Sequence, residues 1–393
     1  MNKDAKTLLK MIVLFTAGGT LANIFMNIFL IRTTDSILLI LFTAISFAIA
    51  TLASFLWGTH LLSKVNVTKI FRMGIFATWI YFLLLLVLQN FIRQLIIPLG
   101  IINGIGTGLY WCGFNLLLNR LVDDDNRGRF FGLQNVFSNL IGIFIPSVSG
   151  FVIVLFDDLT GYYILFACAV CMLFIAFMLS FKLKGFKSNQ VLKPLKALRK
   201  KGNIYWDTNK WYSLSWGFGQ NIYMQIFILL AFSITGSELR LGNYQTLMAV
   251  LSFFSALLIT QRINPRNREN IHLIAAIVNL IVLINLAIFA NEIVLIITFI
   301  AIGIVSTWAQ NISQASKFQL ALLSEDEFTK DEYLVATEFP LALGRILGLV
   351  TALFVVAILP EFLAYRLLIF LTSFFWIGNH IMIKKKTNWL KNV

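Results

Sequence analysis

Asn23 and Asn27 stand four residues apart in an otherwise apolar stretch, and Asn221 and Gln225 repeat the pair 198 positions later. Side-chain amides carry both donors and acceptors, so several together can hold a neutral polar solute. Tyr110, Trp111 and Asn115 form a second group, Gln220 adjoins the repeated pair, and Trp308, Gln310 and Gln314 form a third. Gln310 and Gln314 are again four apart, one turn along a helix face. Tyrosine and tryptophan add flat apolar faces with one polar edge. Such residues recognise a sugar-like, peptide-like or drug-like molecule; they do not break bonds. No Ser/His/Asp set and no paired carboxylates occur among them, so the chain does not read as an enzyme. His60, His272 and His380 are scattered without metal-ligand spacing, and no cofactor is expected beyond a coupling ion, H+ being the candidate. Cys168 and Cys171 form a C-x-x-C inside an apolar run, read as two small residues on one helix face rather than a redox or metal site.

Two charged residues, Glu338 and Arg345, interrupt a long apolar run seven positions apart, two helical turns along one face. An ionisable side chain inside a membrane is costly and marks a functional hypothesis. Glu338 could carry a proton, with Arg345 tuning it or contacting an anionic substrate. The alternative is a structural polar seam.

The elements that must position these residues follow from composition. The chain of 393 residues is 59% hydrophobic and 13% charged, where soluble domains carry about 25% charged residues. Its mean hydropathy is +0.82. A crossing helix needs about 20 apolar residues, and twelve runs qualify. They lie at roughly 11–31, 37–62, 68–90, 95–119, 131–156 and 161–181, then 210–235, 241–261, 271–290, 293–322, 333–358 and 362–383. A net charge of +14 could suggest nucleic acid, but the charges sit in the gaps between runs. With both termini inside, 27 of the 32 Lys and Arg fall on the inner side, four on the outer side, and Arg345 within a span. That asymmetry predicts a multi-pass membrane protein with cytoplasmic termini, in the plasma membrane of a bacterium. In this count Lys317, near the end of the run 293–322, is tallied with the inner side.

The stretch 23–31 returns as 221–229 with five of nine residues identical, and Lys64-Val65-Asn66 returns as Arg262-Ile263-Asn264 at the same offset. A duplicated half in an apolar chain is characteristic of transporters built from repeats. The expected fold is an all-α membrane protein of two pseudo-symmetric six-helix bundles around a central cavity. Its domains are an N-terminal bundle at 1–181, a basic cytoplasmic linker at 182–209 and a C-terminal bundle at 210–393. The linker could form an amphipathic helix on anionic lipid or remain a plain charged connection.

Six-plus-six spans, inner termini, a basic central loop and a repeated half resemble the major facilitator superfamily over essentially the whole chain. Asp124-Asp125-Asn126-Arg127-Gly128-Arg129-Phe130-Phe131-Gly132 is similar to the family's acidic-x-x-Arg-Gly-Arg-x-x-Gly loop, implying a gating role for Arg127 and Arg129. The loop after the second span keeps Gly58 and Lys64 of the related signature, but Ser63 stands where an Asp is usual and Asn66 where a Gly is usual. In the fifth span, Pro146 and Gly150 match the antiporter motif of proton-driven exporters, while Ile145 and Ser149 depart from it. Gly104, Gly106 and Gly108 are read as close-packing positions.

The resemblance implies that spans 1, 4, 7 and 10 line a cavity. The substrate-binding set would then be Asn23, Asn27, Tyr110, Trp111, Asn115, Gln220, Asn221, Gln225, Trp308, Gln310 and Gln314. The resulting expectation is a secondary active transporter of a small polar or amphipathic solute working by alternating access, leaning to proton-linked efflux. The alternatives are uptake of a neutral nutrient such as a sugar or peptide, a lipid-linked flippase, and a non-transporting membrane sensor. The expected partners are a small-molecule substrate and the bilayer, with no nucleic acid, and the chain is expected to act as a monomer.

Overall fold

The computed structural model describes residues 3–62, 64–121, 124–185, 193–260 and 267–390. Ser63, Asp123, residues 186–192 and Arg262-Ile263-Asn264 lie outside the described residues, as do the side chains of 124–128 (Arg127 among them) and of Gln314.

Every regular element among the described residues is a helix. Contacts divide the chain into two compact units, the first formed by residues 1–191 with Ser237–Thr246 and the second by the remainder. The first unit holds α1 (Lys3–Asn23), α2 (Met26–Thr34), α3 (Ile37–Leu61), α4 (Val67–Leu88), α5 (Ile92–Leu121), α6 (Asp124–Val154) and α7 (Thr160–Ser180), with a 3-10 turn at Gln89–Phe91. Next come α8 (Pro194–Arg199) and α9 (Ile204–Thr235) of the second unit, then α10 (Glu238–Thr260), whose first turns pack with the first unit. The second unit continues with α11 (Arg268–Phe289), α12 (Glu292–Leu323), α13 (Lys330–Ala336), α14 (Glu338–Ile358), α15 (Glu361–Ser373) and α16 (Phe375–Leu390).

Twelve helical segments are long and apolar enough to cross a bilayer, matching the twelve apolar runs. Helices are the open-ended solution in lipid because they satisfy their backbone hydrogen bonds internally. Large apolar side chains such as Phe144 and Ile358 point outward, at 62% and 78% exposure. In water such a surface would aggregate; against acyl chains it costs nothing.

Small residues set the helix spacing. Gly104 and Gly108 of α5 face the α3 backbone at Phe47 and Thr51, and Ser54 Oγ of α3 donates to the Gly104 carbonyl at 3.3 Å. Gly106 faces α4 at Thr78. The glycine run is therefore a packing seam. In the second unit, Gly217 of α9 lies against the Leu341 carbonyl of α14, and Gly344 of α14 against the Leu214 carbonyl of α9. A Cβ at either position would push into backbone. Gly344→Leu is therefore expected to cost about 1–3 kcal/mol or more by overpacking. A fall in the thermal unfolding midpoint of purified protein, read by fluorescence-detected size exclusion, checks this.

Two departures from the sequence expectation stand out. The first copy of the repeat is broken: α1 ends at Asn23 and α2 begins at Met26, with Phe25 at φ −112°, ψ 14°. No proline or glycine stands at the break. One turn earlier, Thr20 Oγ1 donates to the Thr16 carbonyl at 2.8 Å, a back-bond that competes with the helix ladder. The second copy runs unbroken through α9. The basic stretch, for its part, contributes the six-residue helix α8, which packs on α13. Ala197 buries against Trp206 and Tyr333, the Lys193 amide donates to Glu332 Oε1 at 2.9 Å, and Lys200 Nζ reaches Glu327 at 2.7 Å.

Candidate functional site

Three helices of the second unit present residues at helical spacing to one pocket. From α9 come Tyr212, Ser213, Trp216 and Gln220; from α12, Ser313 and Lys317; from α14, Leu341 and Arg345. The intervals 212–216–220, 313–317 and 341–345 are each one turn, so every helix offers a single face. The pocket encloses about 240 Å³. The glycine contacts between α9 and α14 bring Gln220 and Trp216 close to Arg345.

The pocket has an aromatic wall and a charged wall. Tyr212 and Trp216 lie with ring centroids 6.2 Å apart and planes 29° apart, and Trp216 meets Phe375 and Trp376 edge-on behind them. Lys317 and Arg345 line the pocket too, half-buried within helices long and apolar enough to cross a membrane. Glu338, one turn before Leu341, is also half-buried, and Lys317 lies within electrostatic reach of both Glu338 and Arg345. A buried polar chain leads away from Ser213 of the pocket. Asn209 Nδ2 donates to Thr337 Oγ1 at 3.4 Å, and Ser213 Oγ donates to Asn209 Oδ1 at 3.4 Å. The Tyr212 hydroxyl lies beside Ser313 without a well-aligned hydrogen bond. A buried hydroxyl left so is available to a ligand.

Of the sequence-nominated residues, Gln220 and Arg345 enter this pocket, and Glu338 borders it electrostatically. Asn221 and Gln225 continue along α9, both half-buried. Trp308 is engaged elsewhere: its Nε1 donates to Ser255 Oγ of α10 at 2.6 Å, and it packs against Ala275, Val305 and Ala309. Gln310 is exposed. In the first unit Asn23, Trp111 and Asn115 are exposed and Asn27 is half-buried. Tyr110 is buried, stacked on Phe15 at 3.9 Å and flanked by Phe71 and Phe114, an aromatic core position. Arg129 is exposed near the start of α6, beside the region whose side chains lie outside the described residues.

The charge count tallies Lys317 with the inner side, although it lies within the apolar run 293–322. It sits six residues inside the end of α12 and lines the pocket. Tyr212, Ser213, Trp216 and Ser313 were also missed. Their one-turn spacing with Gln220 and Lys317 was the available signal. A second ionic cluster escaped as well. Glu238, 3% exposed at the start of α10, accepts from Tyr162 Oη at 2.7 Å and from Arg32 Nη2 at 2.6 Å. Arg32 and Glu238 both fell outside the drawn spans.

Comparison with known proteins points one way. A family model described as Major Facilitator Superfamily matches residues 8–321. A Bacillus subtilis (strain 168) protein, the uncharacterized YqgE, is 26% identical over 372 residues, covering 92% of this chain and 84% of its own. A single-site mutant of the nucleoside transporter NupG superposes with a TM-score of 0.75 at 11% identity, covering 96% of this chain and 98% of its own. A bacterial homologue of the iron transporter ferroportin, in an inward-facing state, superposes with a TM-score of 0.72 at 14% identity, covering 98% of each chain. At such identities the superpositions speak to fold, while the family match extends from within α1 into α12. Taken with twelve membrane-length helices and a duplicated half, it establishes that the chain belongs to the Major Facilitator Superfamily.

Proposed function

We propose that this transporter moves a small organic anion with an apolar, aromatic-compatible body, and that the anionic group seats between Arg345 and Lys317. The observation that carries this reading is the presence of both cations in one pocket beside Trp216. A guanidinium offers a planar fork that fits a carboxylate or phosphate with two parallel hydrogen bonds. Two cations within membrane-crossing helices need compensation, because an uncompensated charge there is expensive. Glu338 can balance one of them. The remaining positive charge calls for an anion brought from outside. Trp216 and Tyr212 then cover its apolar part.

This departs from the neutral solute expected from the amides, because Lys317 adds a second cation to the charge of Arg345. The same chemistry disfavours a bare metal cation, so the cargo named for the ferroportin relative does not transfer. Coupling follows from charge balance. When the anion engages Lys317, Glu338 loses its counter-ion and takes up a proton, linking substrate and proton movement. Anion and proton then move together, so this coupling supports uptake under an inward proton gradient rather than the efflux that Pro146 and Gly150 suggest in a motif from which Ile145 and Ser149 depart. The Lys/Arg distribution supports cytoplasmic termini in a bacterial plasma membrane.

Isothermal titration of purified protein tests the substrate class. Benzoate and phenyl phosphate are expected to bind and benzamide to bind at least tenfold more weakly, with anion affinity falling as salt rises. Equal affinity for benzamide and benzoate would reject the anion reading.

A further inference from the structure

Two of the three histidines, 108 residues apart in sequence, meet in the second unit. His272 of α11 and His380 of α16 stack with ring centroids 5.6 Å apart and planes 19° apart, and their Nδ1 atoms lie 3.4 Å apart. On its other edge, His272 Nε2 lies 3.2 Å from Ser313 Oγ, and Ser313 lines the pocket. His272 is 0% exposed, Ser313 1% and His380 6%. Two facing ring nitrogens cannot both carry protons or both lack them without repulsion. One must donate and the other accept. A neutral imidazole pair so arranged shares one proton between its two Nδ1 atoms, each ring keeping one N–H in all.

We propose that His380, His272 and Ser313 form a proton-conducting relay that connects the charged end of α11 and α16 to the anion pocket. The relay rests on the pocket reading above only for its terminus, since Ser313 belongs to that pocket. Imidazole conducts because it can accept a proton on one nitrogen and release another from the opposite nitrogen. In one passage the N–H bond at His380 Nδ1 breaks and one forms at His272 Nδ1. The N–H at His272 Nε2 then breaks and an O–H forms at Ser313, whose own hydroxyl proton leaves for an acceptor in the pocket. His380 gains a replacement proton at Nε2 as the O–H of protonated Glu269 breaks, and that carboxylate is reloaded from solvent. Each passage leaves both rings in the opposite tautomer, so ring rotation or a returning proton resets the chain.

The surrounding charges suit such a route. Glu269, one turn before His272, and Lys384, one turn beyond His380, are within electrostatic reach of His380. Lys317 of α12 stands one turn from Ser313 within the pocket, and Tyr212 of α9 lies beside Ser313. Arg268 Nη1 donates to Gln319 Oε1 of α12 at 3.4 Å. Arg366 of α15 is bound to the Ala287 and Ile288 carbonyls at the far end of α11, away from the pair. Glu269 is thus the acid at the outer end of the relay. Lys317, a cation that repels protons, lies at the inner end and favours delivery only when an anion is present to neutralise it.

The test has two arms. In the first, the full chain carrying His60→Gln and 15N-labelled histidine rings is titrated by NMR in nanodiscs without ligand. The two rings are expected to titrate in two separated steps, and His272→Gln should collapse these to a single step for His380. Independent titration of both rings at similar pH would overturn the relay. In the second arm, proteoliposomes enclosing a pH-sensitive dye receive benzenesulfonate, an anion that cannot itself ferry a proton across lipid. Wild-type protein is expected to couple its movement to a change in internal pH. His272→Gln should lower the proton flux at least tenfold while benzenesulfonate binding stays within twofold. Proton flux in His272→Gln equal to wild type would overturn the relay. Absence of benzenesulfonate binding in wild type would instead reject the pocket reading, and the NMR arm would still decide the histidine pair.

Discussion

Arg345→Gln is expected to weaken binding of benzoate or phenyl phosphate by roughly 10–100-fold, the cost of about 1.5–3 kcal/mol for a hydrogen bond to a charged group. Glutamine keeps a donor at a similar reach but loses both the charge and the fork. Arg345 stands with Lys317 and Gln220 around a pocket of about 240 Å³, so water cannot fully replace the missing guanidinium. Neutral benzamide, which never used the charge, should bind Arg345→Gln as it binds wild type. Arg345→Lys should recover part of the affinity, because charge returns without planar geometry. Isothermal titration of the three proteins against the two ligand types separates these outcomes. Unchanged benzoate affinity in Arg345→Gln would place the anion site elsewhere.

Glu338→Gln is expected to leave anion binding intact or tighter and to abolish accumulation driven by a pH gradient. In the proposed mechanism the carboxylate competes with the substrate for Lys317, which lies within its electrostatic reach. Its neutral analogue mimics the proton-loaded state permanently. In proteoliposomes, exchange of labelled for unlabelled benzenesulfonate should therefore continue, while uphill movement under a pH gradient falls to background. Gradient-driven accumulation equal to wild type would remove Glu338 from the coupling step.

Much of the fold was legible in the chain because membrane helices leave a strong mark: long apolar runs, separated by charge, in a duplicated order. The candidate site was legible only in part. Glu338 and Arg345 stood out because they are the only charged residues between Glu332 and Glu361. Lys317 did not, since Gln314 and Gln319 flank it and the stretch reads as a helix end. Its position six residues inside α12 depends on where that helix stops. The histidine pair was invisible for another reason. Its members are 108 residues apart, and only the packing of α11 on α16 brings the rings together. Tyr110 illustrates the opposite error. Its type and span suited a binding wall, yet Phe15 and Phe71 enclose it as core. The break at Ile24 and Phe25 carries no breaker residue, so nothing in local composition announced it.

The backbone contact between α9 and α14 has a bearing on how this pocket can change over generations. At Gly217 and Gly344 the facing surfaces are peptide groups, which every sequence shares. The spacing of that wall is therefore set independently of the side chains that Trp216, Gln220, Leu341 and Arg345 contribute to the cavity. On the proposed anion reading, substitutions at those four positions would re-address the transporter to a different cargo while the two glycines hold its frame unaltered.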